Sequence, residues 1–415
     1  MDKNDIIVVG GGAIGAFSCY SLLKNNFNVT WITGIDPKES AAWGSAGIIA
    51  IGVGVPLPSY ESLGAAAKWV LEKDPPIKLS PRFLISRLGW FLSYVKRSEV
   101  PLQPNSTALL KKMAIETRDQ LDDLINSKLL NLDSSTRGIL MTYSTEKDLN
   151  RHVNDLSAIK NNSLSYKILN NSTIKDVEPT LSDNIVGGIL FEDDNWINSS
   201  DFIEQMRGII AGLGGTVIDA KLSNATINNG HVDSVQTASE KFKADNYVFS
   251  MGSYSREFFS KLGIKLPIAP GWGHRVTLEP TKVKLQLPLM LGDYRVSASQ
   301  LSNGSIRLSG FFELSSSDYV PADSKYTWLQ DKASLSLPFL KDLKIKDTWS
   351  GMRPCTPDGL PIIGKLSGID NLILAVGHCR EGLTLSASTG TMITSILKSG
   401  MNEIDPLLRP ERFGL

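Results

Sequence analysis

The chain has 415 residues, enough for two domains with a large core, and its 43 Lys+Arg balance 43 Asp+Glu, which argues against nucleic acid or an acidic polymer as partner. Its three cysteines, Cys19, Cys355 and Cys379, form no C-x-x-C pair and no evident disulfide framework, which suits a reducing compartment. Four scattered histidines (His152, His231, His274, His378) give no metal site, and no apolar run is long enough to cross a bilayer.

Met1 to Asn4 is too short and polar to act as a signal peptide, so a soluble or at most peripheral protein is expected. The apolar run Ile6-Ile7-Val8-Val9 reads as a buried parallel strand. It ends on Gly10-Gly11-Gly12-Ala13-Ile14-Gly15, which matches G-x-G-x-x-G through Gly10, Gly12 and Gly15. A helix with Phe17, Tyr20, Leu22 and Leu23 on its apolar side closes near Asn25-Asn26, and Val29-Thr30-Trp31-Ile32 makes a second strand. Strand, turn, helix and strand in this order form the dinucleotide fingerprint, with the pyrophosphate on Gly10, Gly12, Ala13, Ile14 and Gly15 at the helix N-terminus. A tight turn that binds nothing is the competing reading.

Thr33 stands where a carboxylate usually closes the second strand and holds the ribose hydroxyls. The nearest carboxylate is Asp36, which reaches in only if the turn at Gly34 folds back. Next comes a small-residue loop from Glu39 to Gly47, in which Ser40, Ser45, Ala46 and Gly47 let the backbone approach a flat ring or a pyrophosphate. An ordinary loop fits the same composition.

From Tyr60 to Arg97 the character changes, and Phe83 to Val95 carries Leu84, Leu88, Phe91, Leu92 and Val95 at helical spacing. Trp90, Phe91 and Tyr94 beside Lys96-Arg97 suit either a core contact or a peripheral membrane contact. A long helix is expected over 107–125, and short strands over 139–143 and 187–191. A helix over 201–212, a strand over 216–218 and a buried strand from Tyr247 ending on Gly252 follow. The segments around 277–278, 294–297 and 306–309 alternate as antiparallel strands do. Gly351-Met352-Arg353-Pro354-Cys355-Thr356-Pro357-Asp358-Gly359 is a rigid loop presenting one guanidinium. Leu372 to Gly377 is a buried strand that ends at His378-Cys379-Arg380-Glu381-Gly382, with a helix beginning near Leu383. The fold class expected is α/β, a Rossmann-type domain interleaved with a β-rich (α+β) domain.

These segments carry a resemblance. The chain resembles the FAD-dependent D-amino-acid oxidase superfamily, in particular D-amino-acid dehydrogenases and glycine oxidases, over nearly its whole length. The likeness rests on the N-terminal glycines, Ser45-Ala46-Gly47, the Lys68–Trp90 region, Gly351-Met352-Arg353-Pro354 with Asp358-Gly359, Pro361 and Gly364, and Gly377-His378, Arg380 and Gly382. It implies a discontinuous FAD-binding domain (1–60, 198–256, 346–401), a substrate domain (61–197, 257–345) and a tail (402–415). It also implies noncovalent FAD, since neither Cys355 nor Cys379 stands where flavinylated relatives carry their link. Arg353 would hold the substrate carboxylate, Arg380 would be a second polar group beside it, and Tyr294 would lie over the substrate or in the core. Backbone groups at Gly382, Leu383 and Thr384 would meet the flavin pyrimidine edge, and Gly47, Gly252 and Gly351 would line the cofactor. His378 or His274 would be needed only if the reaction used a side-chain base.

The activity implied is oxidation of a small D-amino acid, D-proline-like among the candidates, to the imino acid and then the keto acid. Electrons would pass to a quinone or another acceptor. A glycine or sarcosine oxidase using O2, and a noncatalytic FAD-binding subunit of a larger dehydrogenase, are the rivals. The expected location is cytoplasmic, with peripheral contact at the inner face of the membrane and an oligomer both left open.

Overall fold

The computed structural model describes residues 4–52, 77–97, 104–136, 138–158 and 164–415. The segment from Lys68 to Pro76, part of the resemblance, lies outside the described residues.

Alternation along the first strand, Asp5–Val9, sets the first core. Ile6 and Val8 face one cluster while Ile7 and Val9 face another, as the two-residue period of a strand requires. The strand is therefore buried on both sides, and its neighbours are too. A six-stranded sheet runs in the order Thr216–Ile218, Asn28–Ile32, Asp5–Val9, Asn246–Phe249, Leu372–Val376, Ile362–Lys365. All its pairings are parallel except the last. On the Ile6 face pack helices Ala13–Lys24, Pro104–Asn126, Ser199–Gly212 and Ser386–Ser399. A three-stranded sheet (Leu222–Asn228, His231–Thr237, Lys241–Phe242) and helix Ser255–Lys261 cover the other.

Small residues bring the first and last helices together. A Cβ on Gly390 would lie 2.5 Å from the Phe17 carbonyl oxygen, and Ser21 and Thr394 share a hydrogen bond of 2.8 Å. That contact explains the run of small residues near the C-terminus.

The second sheet runs in the order Ile345–Cys355, Ala269–Leu278, Ile306–Leu314, Val296–Gln300, Leu289–Leu291, Ile139–Tyr143, Gly187–Phe191, Tyr166–Asn170. Helix Ser324–Ser336 packs on one of its faces. At its centre the register shifts between Trp272 and His274, opposite Phe311, which holds a left-handed φ of 64°. Among the described residues no helix is long and apolar enough to cross a membrane.

Several sequence expectations are corrected. The helix expected over Phe83 to Val95 is broken at Arg87 into Pro81–Ser86 and Leu88–Arg97. Of the two alternatives for Trp90, the packing is the inward one: its indole N–H donates to the carbonyls of Pro267 and Cys355, both at 3.2 Å, and its ring stacks on Tyr94. The last helix starts at Ser386 rather than near Leu383, and Tyr294 lies in a turn, the strand beginning only at Val296. Finally, Cys355 and Cys379 are joined in a disulfide with Cα atoms 4.4 Å apart, where no framework was expected. The pair is 24 residues apart, so only the pairing of the strand with the turn brings it together.

Candidate active site

Strand periodicity assigns the faces of Ile345–Cys355. Trp349, Gly351, Arg353 and Cys355 share one face, and Ser350 and Met352 the other. The first face looks onto the loop that follows the second strand: a Cβ on either Gly44 or Gly351 would strike the Trp349 ring, at 2.1 and 2.3 Å. Arg275, buried on the neighbouring strand, lies over Trp43 at 4.7 Å and bonds Asp347 at 3.1 Å, pinning sheet and loop together.

On that face the Arg353 side chain lies across Gly273. A Cβ there would fall 2.2 to 2.4 Å from the guanidinium atoms, so any larger residue would displace the guanidinium from this position. Its Nη1 donates to the Phe311 carbonyl at 3.0 Å, and Phe312 lies 6.0 Å beneath the guanidinium. No ion pair to a carboxylate holds it among the described residues. Arg380 is brought opposite by the antiparallel bridge Cys355–His378, by the Cys379 N–H donating to the Pro354 carbonyl at 2.8 Å, and by the disulfide. Counting two residues out from the bridge on each side pairs Arg353 with Arg380. Burial, and then the positive charge of Arg380, lowers the Arg353 guanidinium to about 10. It still carries its charge at neutral pH, and two cations side by side suit an anion.

The opposite face of the sheet holds a separate network. His274, buried, shares hydrogen bonds with Ser350 Oγ at 2.6 Å and Glu313 Oε2 at 2.9 Å. Lys325 and Tyr319 donate to the same carboxylate at 2.7 and 2.8 Å. Burial pushes the Glu313 carboxyl up, but the hydrogen bonds from His274, Lys325 and Tyr319 outweigh it and hold it down at about 2. This network staples helix Ser324–Ser336 to the sheet and lies away from the Arg353 face. Tyr294 also packs with the core of that helix, with Lys332 Nζ 5.5 Å from its ring, so it is not brought to the arginines. His378 is buried against Thr389 at 3.0 Å, and burial drives it down to about 3, so it is neutral at physiological pH.

At the other end, the residues fit a dinucleotide. The helix starting at Ala13 has Gly12 at its N-cap, no side-chain cap and no acid in its first turn, so its first N–H groups are open to a pyrophosphate. Gly10 holds a φ of 123°, and a Cβ on Gly15 would lie 2.0 Å from the Gly10 carbonyl. Ile14 and Ala13 are buried behind this turn, and Ser40 Oγ lies 3.0 Å from the Cβ position of Gly12. Gly252 closes the neighbouring strand at a φ of 56°, with the Ser250 hydroxyl donating to the Val9 carbonyl at 2.9 Å. Ser45 Oγ accepts from the Gly47 N–H at 3.3 Å, and the Ala46 carbonyl accepts from the Trp196 indole at 2.8 Å. Thr384 joins this loop to the C-terminal turn: its hydroxyl accepts from Ala50 N–H at 3.2 Å and donates to the Ile48 carbonyl at 3.4 Å. Leu383 beside it is buried, while the Cβ position of Gly382 has no neighbour closer than 3.9 Å.

Thr33 is engaged differently from the sequence expectation. Its hydroxyl donates to Asp219 at 2.7 Å, and Arg207 bonds both Asp219 oxygens at 2.6 and 2.7 Å. Asp36 instead caps the short helix Pro37–Glu39 by accepting from Lys38 N–H at 2.8 Å. The carboxylate beside the end of the second strand thus comes from the next strand over. The parallel pairing of Ile218 with Ile32 delivers it, a signal that needs the register and not a motif.

Three further residues at the arginine site carry no sequence motif. Gly273 is visible only once the strand pairing is known. Arg295, in the turn before Val296, is lowered to about 10 by burial and then by Arg380, so it lies within the field of the same cluster. At Glu381, burial raises the carboxyl, and Arg380 and a hydrogen bond with Thr384 oppose the rise.

Residues 5–396 match the sequence profile of the family described as FAD dependent oxidoreductase. The chain is 29% identical over 411 residues to a D-amino acid dehydrogenase of Allorhizobium ampelinum, covering 96% of each chain. It is 26% identical over 408 residues to a D-amino acid dehydrogenase of Vibrio atlanticus, covering 96% of this chain and 97% of that one. Among solved structures, glycine oxidase from Bacillus cereus superposes with a TM-score of 0.76 at 18% identity, covering 96% of each chain. Iminodiacetate oxidase from Chelativorans gives 0.76 at 17% identity over 98% of both. At these identities the two structures speak for the fold.

Proposed function

The chain belongs to the FAD dependent oxidoreductase family, and from that membership we propose that it oxidises a small D-amino acid, cyclic ones such as D-proline included, to the imino acid. The observation that carries this reading is the Arg353 guanidinium lying across Gly273 with Arg380 opposite, on the sheet face that looks toward the turns fitted to the dinucleotide. FAD, when bound, supplies the acceptor for the two electrons lost at Cα, and its retention is noncovalent. Two of the three cysteines are joined to each other and Cys19 is buried, which supports that form of binding.

The chain's own contribution is positioning. The planar fork of Arg353 matches a carboxylate in two charge-assisted hydrogen bonds, each worth about 1.5–3 kcal/mol. Arg380 and Arg353 together also disfavour a protonated amine next to them, which delivers the substrate in its reactive, neutral-amine form. No side-chain base is required, in keeping with the buried, neutral His378 and with His274 on the far face of the sheet. The imino acid then takes up water and opens to the keto acid, releasing ammonia when the amine is primary.

Electrons leave for a quinone or another acceptor, with the protein in peripheral contact with the membrane. Ile85, Leu88, Leu92 and Val95, 40–84% exposed, recur at helical spacing beside Lys96 and Arg97 and support that contact. A glycine or sarcosine oxidase is the second reading, favoured by the His378–Gly382 turn. Hydrogen peroxide formed under air, compared with dye reduced under argon, separates the two. Dominant peroxide with glycine and no turnover of chiral D-amino acids would replace the dehydrogenase reading.

A further inference from the structure

The geometry points to the Cys355–Cys379 disulfide as a positioning link for the substrate site: it holds the strand that carries Arg353 against the turn that carries Arg380. The proposal rests on the reading of these two arginines as the carboxylate clamp. Cys355 lies two residues past Arg353 on the same strand face, and Cys379 directly precedes Arg380. Besides this bond, the described backbone of the two segments meets through the isolated bridge Cys355–His378 and the hydrogen bond from Cys379 N–H to the Pro354 carbonyl at 2.8 Å. No ladder continues from it. Cys379 itself holds a left-handed φ of 47°, between Gly377 at 82° and the exposed Arg380. The turn's own hydrogen bonds, Glu381 N–H to the His378 carbonyl at 2.9 Å and His378 Nε2 with Thr389 at 3.0 Å, tie it to itself and to the last helix, whereas the disulfide is its covalent tie to the strand of Arg353, whose side chain must meet a substrate to within a fraction of an ångström.

Electrostatics adds a force on that tie. The positive charge of Arg380 acts on Arg353 and lowers it, so like charge works against the close approach of strand and turn. The covalent bond opposes their separation directly beneath the arginines. It also shapes the floor of the site: the Cβ position of Gly271 lies 3.1 Å from Cys355 Sγ and 2.8 Å from the Phe312 ring, the ring that the Arg353 guanidinium overlies. Around the bond pack Phe83, Ala269, Phe312, Leu314 and Trp90, an apolar cluster that shields it from solvent.

The test uses the FAD-loaded full chain. Alkylation with iodoacetamide in denaturant without reductant, read by peptide mass spectrometry, should label Cys19 alone. Cys355 and Cys379 should become labelled only after dithiothreitol has supplied two electrons and two protons to the bond, itself closing to a cyclic disulfide. Anaerobic flavin reduction by a D-amino acid is then compared in three samples: the enzyme as isolated, the enzyme reduced and freed of reductant under argon, and Cys379→Ser. In the last two the half-saturating substrate concentration should rise about tenfold while FAD content and limiting rate change less than twofold. Reoxidation by oxidised glutathione, which takes up the two electrons and two protons of the thiol pair, should restore the wild type and leave Cys379→Ser unchanged. Labelling of Cys355 and Cys379 without reductant in active enzyme would overturn the proposal. So would an unchanged half-saturation on reduction, or a loss confined to thermal stability. No flavin reduction by any amino acid in the as-isolated enzyme would remove the carboxylate reading instead, and the thiol map reports the bond independently of it.

Discussion

Among single residues, substrate binding depends most on one guanidinium and the space kept for it. Removing the fork with Arg353→Ala should leave FAD content intact and weaken substrate binding at least tenfold, about 1.4 kcal/mol, measured by anaerobic titration. Gly273→Ala should act on the same interaction from below, because its methyl would sit 2.2 to 2.4 Å from the guanidinium. Half-saturation should rise while flavin binding persists, and an unchanged value would mean the side chain is not held there. Acid stability tests the buried histidines. His378, lowered to about 3 by burial, and His152, lowered to about 4, take up protons more readily unfolded than folded. Stability therefore rises with pH between these values and the ordinary histidine value of about 6.5, by up to about 1.4 kcal/mol per pH unit for each group. Urea midpoints from pH 7 down to pH 5 should fall, and His378→Asn should flatten the fall. An equal slope in the variant would show that His378 is not the group involved.

Elements carry the next level of the argument. The Gly10–Gly15 turn leads into the helix Ala13–Lys24, which packs on Ser386–Ser399 with Gly390 against the Phe17 carbonyl. A side chain at that point meets backbone that cannot yield, so Gly390→Val should cost about 1–3 kcal/mol and loosen FAD, read by flavin release on heating. Wild-type FAD retention in that variant would contradict the tight contact. The first strand–turn–helix–strand and the strand Leu372–Val376 were legible in the sequence because their signals are local: an apolar run, fixed glycines, a helical period. What escaped depends on register. Asp219 reaches Thr33 only through the pairing of Ile218 with Ile32, Gly273 faces Arg353 only across two strands, and the disulfide needs the Cys355–His378 bridge. The alternation Tyr294 to Ser297 misled for the opposite reason: it continues the strand pattern backward into a turn whose Arg295 holds a φ of 53°. For Trp90 the helical period left core and membrane contact both open, and the two backbone acceptors that turn it inward are supplied by distant segments.

For the whole molecule, two sheets divide the work. The parallel sheet presents a helix N-terminus without a side-chain cap, the antiparallel one carries Arg353, and Thr384 joins the two far-apart turns through Ile48 and Ala50. The exposed apolar stripe along Pro81–Ser86 and Leu88–Arg97 lies outside both cores, and its service as a membrane contact can be read by flotation with anionic vesicles. Wild-type protein should float and Leu88→Glu/Leu92→Glu should stay in solution with its flavin reduction unchanged; equal flotation of the two would exclude the stripe. The central claim, a D-amino-acid carboxylate clamped beside FAD, is tested most directly by following the visible absorbance of the oxidised flavin under argon during titration with paired D- and L-amino acids. At least one D-amino acid should bleach the flavin and its L antipode should not, and Arg353→Ala should need an at least tenfold higher concentration with FAD still bound. Bleaching by L-amino acids alone, or equal response of Arg353→Ala and wild type, would contradict that claim.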